Sequence, residues 1–562
     1  MTQRIIVSPS DLPLQCLYRW ERERANAVYL TQPMGGGVVQ DITWAEAADQ
    51  VRRIAHWLQQ QGWPAGSRVA ILGKNSAHWI LSDLAIFMAG YVSVPIYPTF
   101  NTDALSYILE HSESRALFVG KLDDTANIKG VRTHIPIVTL PLAPELPGLR
   151  WSELLEKTAP LTGTPSPVAE AISTIIYTSG TTGKPKGVVH SFQTMAWGLT
   201  SATRRVTMNS DDRYISYLPL AHVAERMLIE QASLRYGGHV FFAEALDTFV
   251  QDLQRARPTV FFSVPRLWVK FQQGVHSKMP AHKLQKLLRI PLLGGIVRRK
   301  ILKGLGLGQC RIAAGGAAPM PADVLQWYRN LGLDLIEVYG MTENSGVSHS
   351  TLPGGRQIGS VGTPYDEVES RIDPETGEIQ MRCAAMMLGY YREPEQTAAT
   401  MTADGWLRTG DKGSIDSAGQ LRITGRVKDI FKTSKGKYVA PAPIEDLLVL
   451  HPDVEACAVT GANLSQPLAV VMLSQEAVAR CASAEGKTAL GASLQGHLAQ
   501  VNAKLDPHEK LDCLAVVTIA WTPENGFVTP TLKVKRARIE EAYGAQYEAW
   551  TARHQPVVWA DA

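Results

Sequence analysis

The residues best suited to chemistry lie together in Tyr177-Thr-Ser-Gly-Thr-Thr-Gly-Lys-Pro-Lys-Gly-Val188, directly after the apolar run Thr174–Ile176. Gly180 and Gly183 let the backbone approach an anion closely. The hydroxyls of Thr178, Ser179, Thr181 and Thr182 join the loop N–H groups as donors to phosphate oxygens. Lys184 and Lys186 add positive charge. The string reads as a phosphate cradle at the end of a strand, set against the plainer reading of a generic Gly/Thr turn. It is not a Walker A loop: two residues rather than four separate Gly180 from Gly183, and Pro185 follows Lys184 where Ser or Thr is required. A phosphate-loop kinase fails on that spacing.

The elements that must carry this loop are those of an α/β protein. Thr43-Trp-Ala-Glu46 has the capping-box form, and Val51, Ile54, Ala55 and Leu58 follow at helical spacing up to Gly62. Apolar runs at Arg68–Leu72, Tyr91–Tyr97 and Arg115–Val119 predict strands, alternating with helices over Ala77–Ala89 and Thr102–Glu110. A second series begins near Thr174 and includes His239–Phe242, Thr259–Val264, Arg311–Ala314 and Asp334–Tyr339. Seven prolines between Pro136 and Pro167 predict an irregular connection, and Ala482–Ser493, rich in Ala, Gly and Ser, predicts a loop. Strand-and-turn text follows Gly377. The boundary is placed between a large domain, 1–425, and a small α+β domain, 426–562.

Composition bounds the class. A chain of 562 residues with 45% hydrophobic and 19% charged residues is long enough for several cores and is neither disordered nor fibrous. Fifty-six Lys+Arg against 53 Asp+Glu leave +3, which argues against a nucleic-acid partner. The charge is unevenly spread. No acidic residue occurs between Asp252 and Asp323, where thirteen Lys/Arg fall, so the remainder carries −10. The six cysteines are scattered at least 24 residues apart and offer neither a zinc site nor a disulfide framework. Leu84–Thr102 is uncharged, but Gly90, Pro95 and Pro98 make it a buried helix, a turn and a strand rather than a membrane span. The opening MTQRIIVSPSDLPLQ has no basic region followed by a long apolar run, and a soluble protein of the reducing cytoplasm is expected.

With the loop as anchor, the sequence resembles the adenylate-forming superfamily of acyl-CoA and aryl-CoA synthetases, peptide-synthetase adenylation domains and luciferase. The resemblance covers almost the whole chain, through motifs in the family's order. Tyr217-Leu-Pro-Leu-Ala-His-Val-Ala-Glu-Arg226 resembles the motif whose histidine, here His222, borders the acyl pocket. Gly315-Gly-Ala-Ala-Pro319 resembles the adenine-binding turn, with Gly315, Ala317 and Ala318 as contacts. Tyr339-Gly-Met-Thr-Glu-Asn344 resembles the motif that stacks adenine on Tyr339 beside Gly340, binds the α-phosphate through Thr342 and holds magnesium on Glu343, with Thr178 as second contact. Trp406-Leu-Arg-Thr-Gly-Asp411 supplies Asp411 for the ribose hydroxyls. Gly425-Arg-Val-Lys-Asp429 resembles the hinge, with Arg426 on ribose or phosphate and Lys428 as pivot. Thr529-Pro-Thr-Leu-Lys-Val-Lys-Arg536 resembles the terminal motif whose lysine, Lys533, is catalytic.

The resemblance implies a large multi-subdomain adenylate-forming domain plus a small mobile α+β C-terminal domain. It implies an acid–thiol ligase using ATP, Mg2+ and coenzyme A. A carboxylate attacking the α-phosphorus of ATP gives acyl-AMP and pyrophosphate. Two anions approach each other there, so fixed cations and donors are needed, and Lys533 bridges carboxylate and α-phosphate. Coenzyme A then displaces AMP after rotation about Lys428 presents Thr433–Tyr438, with Lys435 and Gly436. The strings YLPLAHVAER, VPRLW, YGMTENSG and NGFVTPTLKVKR most resemble long-chain fatty acyl-CoA synthetases, as does Leu532 before the terminal lysine. Arg226 stands where some bacterial long-chain enzymes carry a Trp gate. Medium-chain or aryl-CoA ligase and acyl-AMP ligase loading a carrier protein are the alternatives; a non-catalytic relative should lack Lys533, Glu343 or Asp411. The segment 283–303 mixes Leu-type residues with seven cations and reads either as a solvated excursion or as a peripheral contact with an anionic membrane.

Overall fold

A computed structural model describes residues 4–129, 134–178, 184–318, 320–352, 354, 359–529 and 533–560. The chain forms two compact units: one of 1–370 and 381–407, the other of 371–380 and 408–562.

Among the described residues, the first unit is organised around an eight-stranded sheet. Its strands Ile172–Thr178, Val92–Ile96, Arg68–Leu72, Ser114–Val119, Ile137–Thr139 and Leu149–Arg150 run parallel, and Lys186–Ser191 adds an antiparallel neighbour to the first. The helix Trp44–Gln60 begins on the expected box: the Thr43 hydroxyl accepts from Glu46 N, and Thr43 N donates back to the Glu46 carboxylate at 2.8 Å. The helix Ala77–Met88 is buried on every face, which explains its uncharged text. One residue in it departs from that rule, the fully buried Asp83. A second, five-stranded sheet contains Val260–Ser263, Ile312–Gly316 and Leu335–Tyr339 in parallel. Parallel strands feed their C-terminal ends to one edge, where such sheets bind ligands.

The second unit holds a four-stranded sheet of Val454–Thr460, Leu468–Leu473, Leu514–Val517 and Val557–Trp559. Its core is closed by the helix Ala484–Asn502, through the buried Leu490, Leu494, Leu498 and Val501.

Two sequence expectations are corrected. The proline-rich stretch is not wholly irregular, since it contributes the last two strands at one end of the eight-stranded sheet and the helix Trp151–Lys157, whose buried Trp151 joins the main core. Most of 482–493 is helix rather than loop. Ser483 caps it by accepting from Gly486 N, and the leucines at spacing of four override the weak propensity of glycine. The cysteines are free thiols: Cys16, Cys457 and Cys513 are buried, the other three partly so. Burial pushes Cys16 up to about 11 and Cys310 and Cys513 to about 12.

Candidate functional site

The glycine-rich loop is bracketed by the antiparallel strands Ile172–Thr178 and Lys186–Ser191, which place Thr178 opposite Lys186. Ser179, Gly180, Thr181, Thr182 and Gly183 lie outside the described residues. Lys184 Nζ lies 5.2 Å from the ring centroid of Tyr107, and Lys186 Nζ 5.1 Å from that of Tyr390. Tyr390 in turn donates its hydroxyl to Glu343 Oε1 at 2.8 Å. Burial, then the Glu343 charge, raises the Tyr390 phenol, so it stays a donor across neutral pH. Lys186, Tyr390 and Glu343 thus form one line of cation, ring and carboxylate.

Thr342 is buried on the short helix Thr342–Asn344. His190 Nε2 lies 2.7 Å from the Thr342 carbonyl, which can only accept, so Nε2 carries the proton. Burial holds His190 near 4, with the Arg226 charge adding to the lowering, so the ring is neutral at pH 7. Its Nδ1 lies 3.1 Å from Thr194 Oγ1 and 3.3 Å from Ser345 Oγ. Met387 N donates to the Glu343 carbonyl at 2.7 Å. The Thr342–Glu343 pair is therefore pinned from both sides before any ligand arrives. Sequence reasoning missed His190 and Tyr390. His190 follows the glycine-rich loop by seven residues, but no motif pointed to its partner 152 residues away.

The turn expected to meet adenine and the expected stacking residue share an edge. Gly316 pairs with Val338, so Gly315, Ala317, Ala318 and Tyr339 all lie at the C-terminal ends of adjacent strands. Ala317 is left-handed at φ +70°, a conformation that costs a non-glycine residue about 1–2 kcal/mol. Gly340 is required for space: a β-carbon there would stand 2.1 Å from the Gly346 carbonyl oxygen. Tyr339 is half-buried, its ring 6.2 Å from His349. Beneath the turn, burial pushes the Glu337 carboxyl up to about 7.

His222 is the N-cap of the short helix Val223–Glu225, its Nδ1 accepting from Ala224 N at 3.1 Å. The charged residues after it, Glu225, Arg226 and Glu230, are buried. Glu225 Oε1 accepts from Ser216 Oγ, Tyr217 N and Asn75 Nδ2 at 2.8–3.2 Å, and burial pushes its carboxyl up to about 8. Arg226, 1% exposed, is no surface gate. It donates to Asp83 Oδ2 at 2.6 Å, faces Glu230 Oε2 at 3.7 Å and lies over the Trp79 ring at 5.5 Å. Burial, and then the Asp83 charge, holds Glu230 well above the usual carboxylate range, so one carboxyl of the pair keeps its proton. Arg226 and Glu230 belong to a π-helical turn, Arg226–Gln231, a geometry that recurs at functional sites.

In the second unit, Asp411 and Arg426 are register partners on neighbouring strands, joined by Nε–Oδ1 at 3.1 Å. Lys428 is exposed in the turn just after. Lys435 and Gly436 are exposed at the tip between Phe431–Lys432 and Tyr438–Val439, with Gly436 at φ +76°. Lys533 is exposed; Thr529 N donates to its carbonyl at 2.8 Å and Lys533 N donates to Thr529 Oγ1 at 3.1 Å. Arg536 fixes the end of that motif. It bonds Glu445 Oε2 at 2.6 Å, Asp429 at 3.3 Å and the Val459 carbonyl at 2.9 Å. Arg536 ends the Thr529–Arg536 string, but only the fold shows what it holds.

Among the described residues, no group of three or more His, Cys, Asp or Glu side chains is arranged to hold a metal. A dedicated protein cage is not what magnesium requires. One carboxylate with hydroxyl oxygens, the rest supplied by water and substrate phosphates, is the usual donor set, and Glu343 with Thr178 fits it. Surface grooves of about 500 and 420 Å³ flank the helix Ala484–Asn502, and none of the motif residues lines them.

Residues 17–391 match the AMP-binding enzyme family, and residues 428–554 match the AMP-binding enzyme C-terminal domain. The "Long-chain-fatty-acid--CoA ligase FadD15" of Mycobacterium bovis is 30% identical, covering 94% of this chain and 96% of that protein. The "Long chain acyl-CoA synthetase 6, peroxisomal" of Arabidopsis thaliana is 31% identical over 90% and 81%. Among solved structures, the A domain of carboxylic acid reductase from Segniliparus rugosus, in complex with AMP and a co-purified carboxylic acid, superposes with a TM-score of 0.79 at 22% identity, over 96% of this chain and 94% of that one. The anthranilate CoA ligase AuaEII in complex with anthranoyl-AMP gives 0.76 at 22%, over 96% and 100%. Motifs, fold and relatives agree: the chain belongs to the AMP-binding enzyme family, with the adenylate-forming fold and the family's C-terminal domain.

Proposed function

We propose that this enzyme activates a long-chain fatty acid with ATP and transfers the acyl group to coenzyme A, in the cytoplasm at the inner membrane face. The observation that carries the chain-length reading is end-to-end similarity, at 30–31%, to proteins named long-chain acyl-CoA ligases. The carboxylate attacks the α-phosphorus, the bond to the bridging oxygen breaks, and pyrophosphate leaves. Thr342 donates to the α-phosphate, Lys186 and the glycine-rich loop hold the β- and γ-phosphates, and Tyr339 with Gly315, Ala317 and Ala318 receives adenine. Asp411 accepts from the ribose hydroxyls, with Arg426 beside it. Magnesium, held by Glu343 and Thr178, supplies charge neutralisation of the phosphates.

Lys533 serves this first half-reaction by bridging the two anions. The turn 433–438, with Lys435 and Gly436, serves the second, in which the thiol attacks the acyl carbon and AMP leaves. Domains 1–425 and 426–562, pivoting at Lys428, divide the two tasks. His222 lines the acyl side; it need not act as a base, since a carboxylic acid is already ionised at neutral pH. The test is pyrophosphate release across fatty and aromatic acids, each with and without coenzyme A. Coenzyme A-dependent turnover strongest with long-chain acids is expected. Preference for aromatic acids makes the protein an aryl-CoA ligase, and indifference to coenzyme A makes it a loader of carrier proteins.

A further inference from the structure

The stretch from 253 to 322, with thirteen Lys/Arg and no acid, contributes Gly315, Ala317 and Ala318 to the site described above, but its centre takes no part in it. Its centre folds as two helices, Ala281–Arg289 and Leu293–Gly304, joined through Ile290, Pro291 and Leu292. All seven cations from Lys283 to Lys303 are exposed, and among the described residues none of them is in an ion pair. The connection and the start of the second helix turn apolar side chains outward: Ile290 is 46% exposed, Leu292 90%, Leu293 39% and Ile296 59%. Leu292 also adopts a left-handed backbone, φ +62°, which glycine would adopt without strain. A strained leucine held in water beside unpaired cations contributes nothing to the fold's own core.

The two properties together select a partner. A phosphate-bearing polymer satisfies the cations but has no use for an apolar tip, whereas an anionic bilayer offers phosphates at its surface and an apolar layer just beneath. We infer that the 281–304 hairpin docks on anionic lipid, Leu292 and Ile296 entering the acyl boundary while the flanking cations meet the headgroup phosphates. The contact is peripheral, since no described helix is long and apolar enough to cross a membrane. This inference is independent of which acid the enzyme activates, because docking is read without turnover.

The experiment is co-sedimentation of the full chain with phosphatidylcholine vesicles, with and without phosphatidylglycerol, at low and high salt. Binding is expected to require phosphatidylglycerol and to weaken with salt. Replacing Arg298, Arg299, Lys300 and Lys303 by Gln is expected to lower partitioning by about tenfold or more. Leu292→Gly removes the tip while suiting the left-handed backbone, so it folds at least as well as the parent and is expected to bind vesicles several-fold more weakly. Circular dichroism and thermal melting identify any variant that has lost its fold. Equal binding to neutral vesicles overturns the proposal. So does undiminished binding by the four-charge variant. Normal vesicle binding by Leu292→Gly, with duplex DNA competing the protein off lipid, overturns it in favour of a purely electrostatic nucleic-acid surface.

Discussion

Arg226 is one cation enclosed with two carboxylates and no water-facing surface; the 281–304 hairpin is seven cations, all facing water, with no carboxylate near them in sequence. Both arrangements follow from the cost of desolvation. Inside, a guanidinium survives only if local charges and hydrogen bonds replace its hydration, and the second carboxylate must then keep a proton to avoid a surplus negative charge. Outside, water screens each cation, so the fold gains little from pairing them and their charge remains available to a partner. Position therefore decides whether the loss of a cation appears as instability or as lost function.

The largest break in that comparison should come from Arg226→Ala, which leaves Asp83 buried without its partner. A loss of about 3–5 kcal/mol is expected, read as a lowered denaturation midpoint. Lys533→Ala tests the opposite pole. It should slow adenylate formation on the order of 10²–10³-fold, leave the melting temperature within error, and still let preformed acyl-AMP become thioester. Equal loss of both half-reactions would refute its assignment. Arg536, three residues on, lies between the poles. Arg536→Ala removes charge-assisted bonds to Glu445 and Asp429 and should cost about 1.5–3 kcal/mol, with the adenylation rate falling less than for Lys533→Ala.

A smaller effect is expected in the pH dependence. Glu225 is raised to about 8, so between its unfolded value, near 4.3, and 8 the unfolded chain releases a proton that the fold keeps. Its contribution is complete below that window and is lost as pH rises through 8. His190, lowered to about 4, acts oppositely: its contribution is complete above about 6.5 and is lost as pH falls through 4. Melting temperature should thus decline from neutral toward pH 8, and Glu225→Gln should flatten that limb. An unchanged slope would place the titrating group elsewhere. The smallest effect belongs to the hairpin: exchanging four of its cations for Gln should alter stability by no more than about 0.5 kcal/mol.

What the sequence makes legible follows the range of the interaction. The Thr43–Glu46 box, the strand Arg68–Leu72 and the buried helix after Ser76 are local or periodic signals, and each appears in the fold. The motif strings likewise carry their residues in order, and the parallel strands bring Gly315, Ala317 and Tyr339 to one edge. Contacts between distant segments leave no such trace. Asp83 and Arg226 are 143 residues apart, His190 and Thr342 152, and nothing in either neighbourhood announces the other. The helix over 484–502 differs in kind. Leucines at 490, 494 and 498 stand at helical spacing, while the Ala/Gly/Ser composition between 482 and 493 favours a loop, and burial of the leucines decides the outcome.

Three of the six thiols give the two units separate clocks. Cys16 is enclosed in the first and Cys457 and Cys513 in the second, and burial keeps each protonated and unreactive in the native state. An alkylating reagent therefore reaches them only when the surrounding structure opens. The labelling rate at each position reports the opening of its own unit. Ligands that order one unit and not the other should slow one set of rates alone.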